Sequence, residues 1–309
     1  MNAADDLQQY LTARRTAIDA ALLAALPSPP SCPSSVANAM RYSVSAGGKR
    51  LRSILCLASA EAVGGDWRHA MPAACAIEFI HTYSLIHDDL PAMDNDTLRR
   101  GQPTLHVVAG EAMAILAGDG LLTEAFALMA RGPSDSDASL AARKVRVIEI
   151  VAAGAGAAGM VGGQAIDLAC VTPDEAGAMP PPLDGDALRA MHARKTGALI
   201  RASASAGAVM GGGSDAQIDA IDRAAAEFGL AFQIIDDVLD IEGASADLGK
   251  TAGKDAAAGK PTYPALYGLE ASKQMADECL ARAATALSAV RLADSRLLQI
   301  GHWIVERSN

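Results

Sequence analysis

Two clusters of aspartate, far apart in the chain, carry the densest chemistry. The first reads Asp88-Asp89-Leu90-Pro91-Ala92-Met93-Asp94, followed by Asn95 and Asp96; the second reads Asp236-Asp237-Val238-Leu239-Asp240. On a helix Asp236 and Asp240 lie about 40° apart and Asp237 and Asp240 about 60° apart, so all three carboxylates share one face. Phe232, Ile234, Ile235, Val238, Leu239 and Ile241 around them predict a helix that is otherwise mostly buried. Carboxylates set that deep repel one another and lose hydration unless cations compensate. Hard oxygen donors at this density suit Mg²⁺, which takes a few carboxylates together with waters and substrate phosphates. In the first cluster Asp88 and Asp94 stand about 120° apart on an unbroken helix. Pro91 removes the hydrogen bond to residue 87, so a bend is expected there that returns Asp94 to the side of Asp88. For one such cluster alone, a solvated acidic turn or helix end is the simpler reading; two on apolar helices shift the balance to metal.

Basic residues supply the complement. Gly47-Gly48-Lys49-Arg50-Leu51-Arg52 joins a glycine pair to three cations at the start of an apolar helix. Backbone can approach a ligand closely there, and the helix N-terminus adds positive potential. Arg99 and Arg100 follow the first aspartate cluster, His192-Ala193-Arg194-Lys195-Thr196 opens another helix, and Lys250, Lys254 and Lys260 lie in the Gly-rich stretch after the second cluster. Each group alone reads as ordinary solvated charge. Together with the acidic clusters they describe a site for two anionic, phosphate-bearing substrates. His81 reads equally as a satisfied core histidine. Gln164 and Asp167, in an otherwise apolar helix, are either a buried hydrogen-bonded pair or part of the site. No convincing triad, zinc-ligand spacing or Walker phosphate loop is present, so no protein nucleophile is indicated.

The elements that must position these residues follow from composition. The chain has 309 residues, half of them hydrophobic but only 4% aromatic, so its core must be built from Ala, Leu, Ile and Val. A length of this order buries a sizeable core. The formal charge of −10 argues against a general nucleic-acid binder, and a mean hydropathy of +0.17 excludes a disordered chain. The longest uncharged apolar run, Ile150 to Gly163, ends after 14 residues, so no stable membrane insertion is expected. Five cysteines without close pairs suit free thiols in a reducing cytoplasm. The N-terminus, with Asp5 and Asp6 and no basic-then-apolar run, does not read as a signal peptide. Ala-rich helical periodicity recurs from end to end, and no stretch alternates like a half-buried strand. Helices are expected at roughly 4–25, 34–46, 50–63, 70–90, 105–117, 119–131, 138–157, 186–210, 215–241, 262–269, 272–290 and 294–306. The fold class is all-α, in one domain spanning 1–309.

At this point the chain resembles the trans-isoprenyl diphosphate synthase family, and within it the bacterial farnesyl diphosphate synthases (geranyltranstransferases). The resemblance runs in order through Gly47–Arg52, the block from His81 to Gly101, Gly163–Asp167, His192–Gly197, Phe232–Asp240, Leu248–Lys250 and Gly259–Pro264. It implies a helical bundle around a deep central cavity, the aspartate clusters facing each other across its mouth. It further implies Mg²⁺, three ions in the family pattern with Mn²⁺ as an alternative, and a homodimer. Carried over residue by residue, Asp88, Asp94 and Asp236 are the direct metal ligands, supported by Asp89, Asp237 and Asp240. Arg99, Lys195, Thr196, Gln233, Lys250 and Lys260 hold the allylic diphosphate. Lys49, Arg52, His81 and Arg100 hold isopentenyl diphosphate. The catalytic set is then Asp88, Asp89, Asp94, Arg99, Lys195, Asp236 and Asp237.

The implied reaction is head-to-tail condensation of isopentenyl diphosphate with dimethylallyl and geranyl diphosphate to farnesyl diphosphate. Tyr83, more than one turn deeper than Asp88, with Ser84 beside it, reads either as core packing or as the cavity floor that limits product length. In bacterial synthases of this kind a bulky residue here accompanies the fifteen-carbon product. Geranyl or geranylgeranyl diphosphate is the nearest alternative product. A terpene cyclase typically replaces the second cluster and lacks the Lys49/Arg52 set, and a non-catalytic regulatory subunit tends to lose one cluster; neither pattern matches. Ser53 stands where the family usually has proline, and Thr97 where an acidic residue is common. Proline at a first turn mainly preorganises the helix, so a small effect is expected.

Overall fold

The computed structural model describes residues 3–134, 138–172, 177–246 and 262–307. Helices account for 77% of the structure. Among the described residues the only sheet is an antiparallel hairpin of β1 (Leu98–Arg99) and β2 (Gln102–Pro103). The all-α expectation holds, with this small hairpin as the addition. The chain divides into two compact units, Met1–Glu149 with Ala206–Gly213, and Ile150–Ser205 with Ser214–Asn309.

The first unit contains α1 (Ala3–Ala25), α2 (Ser34–Ser45), α3 (Leu51–Ala62), α4 (Trp67–Asp88), α5 (Leu105–Ala109), α6 (Glu111–Arg131) and the start of α7 (Ala138–Ala155). Helix α4 is its spine and packs against α3 and α6. It starts at Asp66, whose carboxylate accepts a 2.9 Å hydrogen bond from the Arg68 backbone N–H, an N-cap. Ile77, Phe79 and Ile80 on α4 are buried, as are Leu55 and Leu57 on α3 and Leu121 on α6. The expected break near Gly118 is found instead at Gly110, whose φ of 84° ends α5. Gly118 lies inside α6, where a Cβ would collide with the His87 imidazole; His87 Nε2 sits 3.2 Å from the Ile115 carbonyl. This glycine serves close packing rather than punctuation. Helix α6 and the stretch Ser139–Val171 are long and apolar enough to cross a membrane by length and composition. Asp119 and Glu124 interrupt α6, so no charge-free run marks it in the sequence.

The second unit contains the rest of α7, α8 (Met160–Val171), α9 (Gly185–His192), a π-helical turn (Ala193–Gly197), most of α10 (Ala198–Gly211), α11 (Asp215–Ala246), α12 (Tyr263–Tyr267), α13 (Leu269–Ser288) and α14 (Arg296–Glu306). Helix α11 packs against α13 and α14, and Leu188, Met191, Ile234, Ile235, Tyr263 and Cys279 form a buried cluster. Two expectations are corrected. Helix α8 was absent from the expected ranges, because Gly159, Gly162 and Gly163 lower helix propensity. A Cβ at Gly163 would collide with the Lys195 backbone, so α8 meets the π-turn backbone to backbone. The single helix expected over 186–210 is interrupted by that turn, a feature often found at functional sites. All five cysteines are free.

Candidate active site

Helix α4 ends at Asp88 rather than bending. Its last carbonyls are taken up by the loop that follows: Asp89 N donates to Leu85 O at 3.1 Å, Leu90 N to His87 O at 3.1 Å, and Asp94 N to Asp88 O at 2.9 Å. Asn95 has a φ of 51°. Asp94 is therefore brought back beside Asp88, as expected, but by helix termination. Asp88 is half-buried and Asp94 exposed. Asp89 differs: it is 3% exposed, and Arg99 grips it through Nε at 2.8 and 3.0 Å and Nη2 at 2.6 Å. Burial pushes the Asp89 carboxyl up, and Arg99 pulls against it.

The hairpin explains how Arg99 and Arg100 part company. Arg99 pairs with Gln102 across the sheet, and the central residues Arg100 and Gly101 have φ of 53° and 76°, as a tight two-residue hairpin turn requires. Arg100 Nη1 donates to the Gly47 carbonyl, and its guanidinium fills the place a Cβ on Gly48 would take. The GGKRLR turn and Arg100 thus meet.

Beside them opens a pocket of about 510 Å³, including its open mouth, lined by His81, Arg99, Arg100 and Asp89 on its polar side and by Leu85, Ile86, Leu105 and Pro103 on its apolar side. Burial, then the charges of Arg52, Arg100, Arg99 and Arg50, hold the His81 imidazole well below the usual histidine range, so it is neutral at pH 7. Lys49 is exposed and Arg52 half-buried on the adjoining turn. Tyr83 is buried, its ring edge-on to His87 at 5.7 Å, and burial and the Asp88 charge raise its phenol. Ser84 Oγ donates to His81 O at 2.9 Å, back onto its own helix.

In the second unit several of the sequence-selected residues are hydrogen-bonded to one another. Lys195 Nζ donates to Asp167 Oδ2 at 2.5 Å. Thr196 Oγ1 donates to Gln233 Oε1 at 3.2 Å, and Gln233 Nε2 to Asp237 Oδ1 at 3.0 Å. Asp237, 5% exposed, also accepts from the Tyr263 backbone N–H at 3.0 Å. Gln164 and Asp167 are thus not paired through the Gln164 amide, whose Nε2 is buried with no partner among the described residues. Asp236 is half-buried and accepts from Arg307 Nη2 at 2.6 Å, and Arg307 also stacks on Phe232 at 4.0 Å. Asp240, also half-buried, lies one turn on. His192 is buried against Tyr263 at 5.6 Å, its Nδ1 without a partner among the described residues. Lys250, Lys254 and Lys260 lie outside the described residues.

The second aspartate of each pair is buried and held by protein donors, whereas the first is half-buried, Asp236 in contact with Arg307. Among the described residues no three His, Cys, Asp or Glu side chains converge as a cage. Oxygen-only, half-exposed donors fit Mg²⁺, which fills its shell with water and phosphate. Sequence reasoning missed Arg307, for which no local signal exists, and Glu78, a lone acid in the apolar run Ala73–Ile80 that composition could have flagged.

The sequence profile of the polyprenyl synthetases matches residues 33–293. The chain belongs to the polyprenyl synthetase family. The synthase is 46% identical over 275 residues to a heterodimeric geranylgeranyl pyrophosphate synthase large subunit of Arabidopsis thaliana, covering 88% of this chain and 71% of that one. It is 43% identical over 304 residues to a geranylgeranyl diphosphate synthase of Cyanophora paradoxa, covering 98% and 97%. The crystal structure of an FPP/GFPP synthase from Zymomonas mobilis superposes with a TM-score of 0.83 at 36% identity, covering 98% of this chain and 99% of that one. The synthase is a trans-prenyltransferase with the all-α isoprenyl synthase fold, and its family acts on isoprenoid diphosphates.

Proposed function

We propose that the synthase condenses isopentenyl diphosphate with dimethylallyl and then geranyl diphosphate and stops at farnesyl diphosphate. The observation that carries this product is Tyr83, a bulky ring buried more than one turn below Asp88 and braced by His87. Arg100 and neutral His81, with Lys49 and Arg52 beside them, bind the isopentenyl diphosphate, whose hydrocarbon lies on Leu85 and Ile86. Lys195, Thr196 and Gln233 bind the allylic diphosphate, Asp167 and Asp237 fixing their direction; Arg99, oriented by Asp89, is assigned to the same ligand. Asp88, Asp94, Asp236 and Asp240 would hold Mg²⁺, which when bound offsets the charge of the leaving pyrophosphate. The allylic C–O bond breaks with its electron pair leaving on pyrophosphate, the isopentenyl double bond attacks the allylic cation, and the departing pyrophosphate takes the proton. The enzyme works as a cytoplasmic homodimer.

A second product, geranylgeranyl diphosphate, is favoured by the names of the curated relatives. Radiolabelled isopentenyl diphosphate with dimethylallyl diphosphate, in Mg²⁺ and in EDTA, separates them. A metal-dependent fifteen-carbon product is expected; a twenty-carbon product overturns the Tyr83 assignment, and no incorporation by folded protein overturns the reaction.

A further inference from the structure

Arg50 stands between Lys49 and Arg52, yet its side chain is 3% exposed. As the residue before α3 it adopts a left-handed backbone, φ 52° and ψ 29°, and makes no side-chain cap. That conformation is unfavourable for any side chain but glycine's or asparagine's, and helix capping does not account for it. Its guanidinium instead ties three helices together. Nε donates to Asp19 Oδ1 on α1 at 2.8 Å, Nη2 to Val44 O on α2 at 2.7 Å, and Nη1 to Glu78 Oε1 on α4 at 2.9 Å.

The other Glu78 oxygen lies 3.0 Å from Ser53 Oγ, which is also 2.9 Å from Ala74 O. Ser53 is fully buried, and a proline there would offer Glu78 no hydroxyl. The small effect expected of this departure therefore overlooked a buried contact.

Electrostatics gives the arrangement its direction. Lys49, Arg50, Arg52 and Arg100 gather at one turn, with Arg100 resting on Gly47 and Gly48. Glu78 and Asp19 offset the Arg50 charge within the fold. We propose that Arg50 is a positioning residue: Glu78 and Ser53 hold its guanidinium beneath the Gly47–Arg52 turn, and this clamp sets where the three remaining cations meet the isopentenyl diphosphate. The inference rests on the prenyl-transfer reading above and adds a residue that does not touch substrate.

Two variants of the full chain test it. Arg50→Lys keeps the charge and loses the three-way fork; Ser53→Ala removes the hydroxyl that faces Glu78 and the Ala74 carbonyl. Arg50→Lys is expected to raise KM for isopentenyl diphosphate about tenfold and Ser53→Ala about threefold, with KM for geranyl diphosphate and kcat changed by less than about twofold. Equal rises in both KM values, or a lowered melting temperature with both KM values unchanged, overturn the clamp. If Arg50→Lys does not fold, the KM split in Ser53→Ala decides. Absence of isopentenyl incorporation by the unaltered enzyme is a different result: it overturns the prenyl-transfer reading, and the clamp's ligand with it.

Discussion

His192 gives the structure a pH dependence whose size can be worked out. The imidazole is 8% exposed, and burial, assisted by the Lys195 charge and opposed by Asp167, lowers its pKa from 6.5 to about 4. The folded state therefore binds this proton less readily than the unfolded chain. Stability from this group is fully present above pH 6.5 and is lost as pH falls through that value toward 4. Between pH 7 and pH 5 the two values give a loss of about 2 kcal/mol from this one residue. The location matters for function, because His192 leads directly into the π-turn that carries Lys195 and Thr196, and packs tilted against Tyr263, whose N–H holds Asp237. The assay is denaturant unfolding at both pH values for the unaltered chain and for His192→Gln. The variant is expected to lose about 2 kcal/mol less than the parent on acidification. Its absolute stability is not the readout, since the ring contact with Tyr263 goes too. Identical pH dependence in the two proteins would refute the argument.

Other expectations follow from named contacts. Asp88→Ala and Asp236→Ala should each lower turnover at least about a hundredfold while far-UV circular dichroism stays unchanged; a folded variant with normal rates removes that residue from the metal site. Tyr83→Ala should lengthen the products, and an unchanged product profile removes Tyr83 from chain-length control. Gly118→Ala drives a methyl into His87 and should cost about 1–3 kcal/mol in denaturant unfolding; an unchanged midpoint and slope contradict that packing. Asp237→Asn leaves one of its donors, Gln233 Nε2 or Tyr263 N, facing an amide NH₂, at a cost of about 1–3 kcal/mol by the same measurement.

Much of this was legible in the sequence because it depends on local pattern. Helix ranges such as 34–46 and 215–241 follow apolar periodicity, and α2 (Ser34–Ser45) and α11 (Asp215–Ala246) start where expected. Glycine was read less well. At Gly110 it ends a helix through its backbone angle, whereas at Gly118 and Gly163 it admits a neighbour, and sequence alone does not distinguish these uses. The π-turn was invisible because no propensity encodes it. The aspartates were found as clusters, but their division was not. That Asp89 is held by Arg99, and Asp237 by Gln233 and Tyr263, depends on elements brought back by the fold. Arg307 is the extreme case, meeting Asp236 from 71 positions away.

The central claim is a fifteen-carbon product limited by Tyr83, and farnesyl diphosphate as sole primer tests it most directly. Purified synthase would be given Mg²⁺, labelled isopentenyl diphosphate and farnesyl diphosphate, beside a parallel reaction primed with geranyl diphosphate, and the dephosphorylated products sized by chromatography. The account predicts label in farnesol from the geranyl reaction and none in longer alcohols from the farnesyl reaction. Efficient conversion of farnesyl diphosphate to a twenty-carbon product would contradict it.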